Sequence, residues 1–141
     1  MLENVRKRMG REEGFTLVEL LVVMLILGIL AAIAIPSFLS QRDKADDATA
    51  KAAARTAQTA AETYGTDNDN DYSAMTEAEL VTIEPTLADA TVDASGDNAG
   101  AYNISVTSET GSTFDIDRVN GGTTTRTCDP PDDGGCSGGT W

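Results

Sequence analysis

Gly14-Phe15-Thr16-Leu17-Val18-Glu19 opens a run that continues from Leu20 to Ile35 as unbroken Leu, Val, Ile, Met, Ala and Gly, with Pro36 behind it. From Phe15 the run is about twenty residues, enough for a helix to cross a hydrocarbon core of about 30 Å. Glu19 is its only ionisable side chain. A carboxylate at mid-membrane costs about 2.5–3.5 kcal/mol, and less near the end of a span. Glu19 is therefore expected to meet a partner, and that partner is the functional question the stretch poses.

Residues 1–14 ahead of the run carry Arg6, Lys7, Arg8 and Arg11 against Glu3, Glu12 and Glu13. Basic flanks of a transmembrane segment stay cytoplasmic, so the remainder of the chain is expected to face outward. A secretory signal peptide places a small-residue cleavage site after its apolar core. Here a lone Gly separates the basic leader from the core. Ala32-Ile33-Ala34 lies inside the run. A cut between Gly14 and Phe15 would leave the apolar segment on the product as its amino terminus.

Gly14-Phe15-Thr16-Leu17-Val18-Glu19-Leu20 resembles the prepilin signature of type IV pilins and their pseudopilin relatives. The motif part of the resemblance covers Met1 to about Tyr64. It implies an α+β pilin fold, a long amino-terminal helix (one half transmembrane, one half amphipathic) packed on a small antiparallel sheet. It implies four regions: a leader at 1–14, an assembly helix at 15–36, its amphipathic extension at 37–64 and a globular head at 65–141. It further implies cleavage after Gly14 by a prepilin peptidase and N-methylation of Phe15. Glu19 takes the place of the family's assembly glutamate, and Gly28 and Pro36 fall at its helix-weakening positions. The partners implied are other copies in a helical filament, a membrane platform and a separate ATPase motor. The bilayer holds the single-pass precursor, and the extracellular pilus is the assembled form. A pseudopilin of a type II secretion or DNA-uptake system shares everything up to about Tyr64. The resemblance implies no cofactor and leaves adhesion, motility, DNA capture and secretion open.

Charge and composition agree with a structural subunit. The chain has 141 residues, 10 basic and 23 acidic, which bounds the outward part to one small domain. Four basic and three acidic residues belong to the leader, so the remainder holds six and 20, a net charge of −14 with termini ignored. Such a surface is poorly suited to direct nucleic-acid binding. There is no His, the commonest general base and metal ligand. No Gly-x-x-x-x-Gly-Lys-Ser/Thr loop is present, so a motor acting on this chain must be a separate protein, and no enzymatic role is expected.

Ser37 to Tyr64 is Ala-rich with no further Pro or Gly, which predicts that the helix resumes and runs to Gly65. Read as one helix, Phe15 to Tyr64 would span about 75 Å. Ala45, Ala48, Ala52, Thr56 and Ala60 form the small-residue face expected to receive a sheet. Gly28 and Pro36 cost about 1 and 3 kcal/mol inside a helix, which predicts a kink or local unwinding.

Thr66-Asp67-Asn68-Asp69-Asn70-Asp71 follows Gly65. Alternate Asp residues suggest calcium, but Tyr72 and Ala78 occupy the positions where an EF-hand needs Gly and Glu, and solvated Asx turns explain the run as well. Thr76-Glu77-Ala78-Glu79 reads as a capping box before a short helix through Ile83, ended or redirected by Pro85. Asp89 to Gly100 reads as loop. Tyr102-Ile104-Val106 and Phe114-Ile116 alternate with polar residues as strands, and Thr123 to Thr127 gives a third, with turns at 109–112 and Asn120-Gly121-Gly122. A three- or four-stranded antiparallel meander is expected.

Cys128 and Cys136 are the only cysteines, and in an outward-facing domain a disulfide is the default. A thiolate metal site would need two more ligands. The enclosed loop, with Asp129, Asp132 and Asp133 as alternative calcium ligands, resembles the carboxy-terminal disulfide region of pilins. Trp141, the only Trp, is expected over the sheet edge. Asn103-Ile104-Ser105 is a glycosylation sequon whose mid-strand position argues against its use.

Overall fold

The structure is a computed structural model that describes residues 14–141. Residues 1–13 of the expected leader lie outside the described residues. The chain divides between Leu39 and Ser40 into two units.

The amino-terminal unit holds the first part of α1, a helix assigned without interruption from Leu17 to Asp67. Gly28 and Pro36 both lie inside it, and no unwinding is seen at either. The apolar side chains of this unit, from Phe15 and Leu17 through Phe38 and Leu39, are exposed. Among the described residues, one helix is long and apolar enough to cross a membrane.

In the second unit, Ser40–Trp141, the rest of α1 packs on a four-stranded antiparallel sheet. The strands are β1 (Thr91–Gly96), β2 (Tyr102–Thr107), β3 (Thr113–Arg118) and β4 (Thr124–Asp129). Their spatial order is their chain order. One face carries the apolar residues in cross-strand rows, Val92, Val106, Phe114 and Cys128 in one and Ala94, Ile104 and Ile116 in the next, where Arg126 takes the β4 place. Between α1 and the sheet come α2 (Glu77–Ile83), capped by the Thr76 hydroxyl, and a 3-10 turn at Pro85–Asp89.

Four expectations need correction. The helix does not stop at Tyr64 but carries on to Asp67. Gly65 is buried beneath Tyr72 and leaves room that a side chain would fill, and the helix ends before Asp69 and Asn70, both at positive φ. The loop expected over Asp89–Gly100 contains β1, an edge strand that turns only Val92 and Ala94 toward the core. The third expected strand is displaced to Thr124–Asp129. The buried helix face is rotated from part of the expected one: Asp47, Ala50, Ala54, Ala57, Ala60, Ala61 and Tyr64 are buried, so Ala60 is buried as expected and Thr56 is half-buried, whereas Ala45, Ala48 and Ala52 are exposed. In an Ala-rich helix nearly every phase offers alanines at three- and four-residue steps, so the phase is set by Tyr64 and Asp47, which make specific contacts.

Asp47 is buried beneath the carboxy-terminal loop, and its Oδ1 accepts a 2.6 Å bond from the Thr110 hydroxyl in the β2–β3 turn. Lys51 donates to the Gly135 carbonyl at 3.0 Å. Cys128 and Cys136 are joined, with Cα atoms 6.3 Å apart. On the chain-entropy account, closing a loop this short stabilises by about 2–3 kcal/mol. Trp141 lies edge-on to Phe114 and donates from Nε1 to the Thr127 carbonyl at 2.8 Å, so it covers the β4 edge.

Candidate assembly site

The site residues group at the start of α1. Gly14 and Phe15 are exposed in the open segment before the helix. Thr16 occupies the capping position. Its backbone N–H and its hydroxyl both donate to Glu19 Oε2, at 2.9 and 2.7 Å. The Glu19 N–H donates back to the Thr16 hydroxyl at 3.2 Å. This is a reciprocal capping box, which satisfies donors that a helix start leaves open. The carboxylate sits where the positive end of the helix dipole favours it. Thr16 was not singled out from the sequence, although Thr16-x-x-Glu19 has the same spacing as Thr76-x-x-Glu79 and carried the signal.

Glu19 thus has a partner within its own chain. Both Thr16 bonds fall on Oε2, and among the described residues Oε1 takes no hydrogen bond. The carboxylate is exposed, held at one position by Thr16, and retains an oxygen for a cation. From Leu17 onward the helix offers an exposed apolar surface of bilayer length. A patch of this size marks a membrane or protein contact.

Within the second unit a polar network pins the far end of α1. Glu62 accepts from the Tyr102 hydroxyl at 2.7 Å and pairs with Arg118 at 3.4 Å. Arg118 also donates to the Tyr72 hydroxyl. Burial pushes both phenols above their usual range, the Glu62 carboxylate adds to that, and Arg118 opposes it at Tyr72. Folded phenols therefore hold their protons to higher pH than unfolded ones, which ionise near pH 10. Stability from this source is fully present below about pH 10 and is lost as pH rises above it. Urea midpoints measured from pH 8 to 11 should fall at the alkaline end, and Tyr102→Phe should flatten that fall. A profile identical in the variant would show that the network does not carry the effect.

Among the described residues no three Asp, Glu or Cys side chains converge as metal ligands. The acidic loops at 66–71 and 129–133 instead make local Asx bonds, such as Ser73 N–H to Asp71 at 2.9 Å and Gly134 N–H to Asp133 at 2.8 Å.

The family described as the prokaryotic N-terminal methylation motif matches residues 9–35. The type IV wide pilus major component PilA4 of Thermus thermophilus is 36% identical over 96 residues, covering 67% of this chain and 72% of that protein. The type II secretion system core protein G of Vibrio cholerae is 40% identical over 62 residues, covering 44% of this chain and 42% of that protein. The type IV major pilin protein PilA of Myxococcus xanthus is 41% identical over 59 residues, 42% of this chain and 27% of that protein. The chain spans about half the length of the secretion core proteins that it matches. No solved structure matches it. With its long helix on a four-stranded antiparallel sheet, the chain belongs to the type IV pilin-like proteins.

Proposed function

We propose that this chain is the structural subunit of a type IV pilus. The carrying observation is the exposed, bilayer-length helix surface headed by one carboxylate held at the first turn. In this reading residues 1–14 are the leader, 15–36 the assembly helix, 37–64 its extension and 65–141 the head. A prepilin peptidase cuts after Gly14, and the new Phe15 amine is methylated and remains cationic. Glu19 of one subunit then accepts that amine from a neighbour through its remaining oxygen. Attraction at about 4 Å is of order 1 to 4 kcal/mol between aqueous and protein-surface dielectrics. Its larger effect is on register, because a shifted subunit leaves both charges unpaired in an apolar medium. Gly28 and Pro36 are weak points at which the helix can loosen once it is packed in the fibre. A membrane platform and a separate ATPase drive the step.

A second reading, a pseudopilin of a secretion machine, is favoured by the several matches to secretion core protein G. Electron microscopy of sheared surface filaments, with mass spectrometry of the subunit's first residue, tests both readings. Long fibres that begin at methylated Phe15 support the pilus. A processed subunit that stays in the envelope fraction supports the pseudopilin. Gly14→Glu is expected to block processing, read as a band that keeps the precursor's mobility. A processed band from that variant would refute the cut site.

A further inference from the structure

Outside the leader, the chain has six cations against 20 acids. Such an excess should leave every cation with a carboxylate close by. Arg42 pairs with Asp46 and Arg118 with Glu62. Yet Lys44 has no carboxylate within ion-pair distance among the described residues, and neither have Lys51, Arg55 and Arg126, despite Asp129, Asp132 and Asp133 in the adjoining loop. Lys51, Arg55 and Arg126 sit together on aromatic faces instead. Arg55 and Arg126 lie 5.3 and 5.5 Å from the centre of the Trp141 ring, and Lys51 lies 5.0 Å from that of Phe114. Arg126 is further held by Gln58 at 3.0 Å. Arg55 and Arg126 are exposed. The result is a preorganised cationic knob at the β4 edge. Arg and Trp are the residue types that carry binding energy at interfaces, and ring stacking reduces the ordering cost of a long side chain.

The opposite flank has the opposite sign. The segment from Glu77 to Gly96, which supplies α2, the 3-10 turn and β1 at the sheet edge furthest from β4, carries Glu77, Glu79, Glu84, Asp89 and Asp93 and not one Lys or Arg. Beside the helix on that flank, Asp46, Asp89 and Glu109 rim a shallow hollow floored by Ala50, Ala53 and Val106. Glu84 rims a second hollow with Thr56 and Thr59.

We propose that the Arg55–Trp141–Arg126 knob of one copy docks on the acidic α2–β1 flank of a second copy, around Glu84 and Asp89. Because the two surfaces lie on opposite edges of the sheet, the contact is heterologous and leaves each partner one open surface. Repetition of that contact builds an open polymer rather than a closed dimer. It also solves a problem of charge: heads with a net negative charge repel one another unless the scarce cations are placed between them. The proposal rests on the filament reading and assigns its lateral contact between heads.

The test uses full-length chain in cells that produce filaments. Arg55→Glu with Arg126→Glu is expected to lower the yield of sheared filament about tenfold, as loss of close interfacial charge pairs does, while processed subunit persists in the membrane. Adding Glu84→Arg and Asp89→Arg to the same chain should restore the yield, which a misfolded head could not do. Wild-type filaments should also loosen between about 0.1 and 1 M NaCl, as the screening length falls from about 10 to 3 Å. Wild-type yield from the reversed knob, or failure of the swapped flank to restore it, overturns the docking while the filament reading stands. A reversed knob that spares filaments but abolishes binding of DNA or of anionic phosphatidylglycerol vesicles reassigns the surface and overturns it as well. Absence of any wild-type polymer sinks both readings together.

Discussion

Glu19→Ala, Glu19→Val and Glu19→Gln are each expected to cut the yield of sheared filament by about tenfold or more while leaving the subunit in the membrane. Insertion should not suffer, because each change removes a charge that the bilayer disfavours. The loss arises between subunits. An attraction of about 1 to 4 kcal/mol per contact corresponds to about fivefold to nearly a thousandfold in equilibrium, since about 1.4 kcal/mol is tenfold. Glu19→Gln is the decisive variant. Glu19 also closes a capping box with Thr16, and Ala or Val would open it, at a cost of about 1 kcal/mol. Gln serves a capping box as Glu does, so it retains the helix start and removes only the charge. Thr16→Ala is the converse: it opens the box and keeps the carboxylate, and should lower yield far less. If Thr16→Ala matched Glu19→Ala and Glu19→Gln behaved as wild type, the glutamate would be a cap and nothing more.

How far the sequence could be read depended on how unambiguous each signal was. The apolar run and its basic leader have one physical interpretation, and α1 carries that run as an exposed helix. Strands β2 and β3 were visible because Tyr102, Ile104, Val106, Phe114 and Ile116 alternate with polar residues and are buried as that alternation requires. Strand β1 was not, because an edge strand needs few inward residues and Val92 and Ala94 stand among Thr, Asp, Ser and Gly. The helix face was only partly legible, with Ala60 buried as expected but Ala45, Ala48 and Ala52 exposed, because alanine packs equally in many rotations. Asp47 gave no hint of burial, since its partner Thr110 is 63 residues away. Helix continuation through Gly65 depended on Tyr72 lying against that glycine, a tertiary contact that no local propensity encodes. The cationic knob was equally hidden: Arg55, Arg126 and Trp141 are far apart in the chain and meet only because β4 folds against the helix.

Tyr72→Ala is expected to destabilise the head by about 3–5 kcal/mol, the range for removing a large buried aromatic ring. That is a large share of the about 5–15 kcal/mol that holds an ordinary domain together. The ring is wholly buried. It lies between Tyr64 and Tyr102, with ring centres 6.4 and 5.0 Å away, under the Arg118 guanidinium at 5.5 Å. Two glycines make its seat. A Cβ on Gly65 would strike the Tyr72 phenol, and one on Gly96 would strike the Tyr72 Cβ and come within 2.8 Å of its carbonyl oxygen. The backbone of α1 and the end of β1 are thus shaped around this one side chain. Tyr72→Phe keeps the ring and loses only the hydroxyl that Arg118 uses, so it should cost about 1 kcal/mol, with Arg118 still held by Glu62. Gly96→Ala fills the seat from the other side and should cost about 1–3 kcal/mol through overpacking. Urea unfolding of the full chain in detergent, followed by the fluorescence of Trp141, reads all three. An unchanged denaturant slope with a lowered midpoint would mark the effect as stability. The order Ala, then Gly96→Ala, then Phe is the signature of a ring that organises the helix–sheet junction by filling it. A Tyr72→Ala variant within about 1 kcal/mol of wild type would mean that the junction is held by the Glu62–Arg118–Tyr102 network instead.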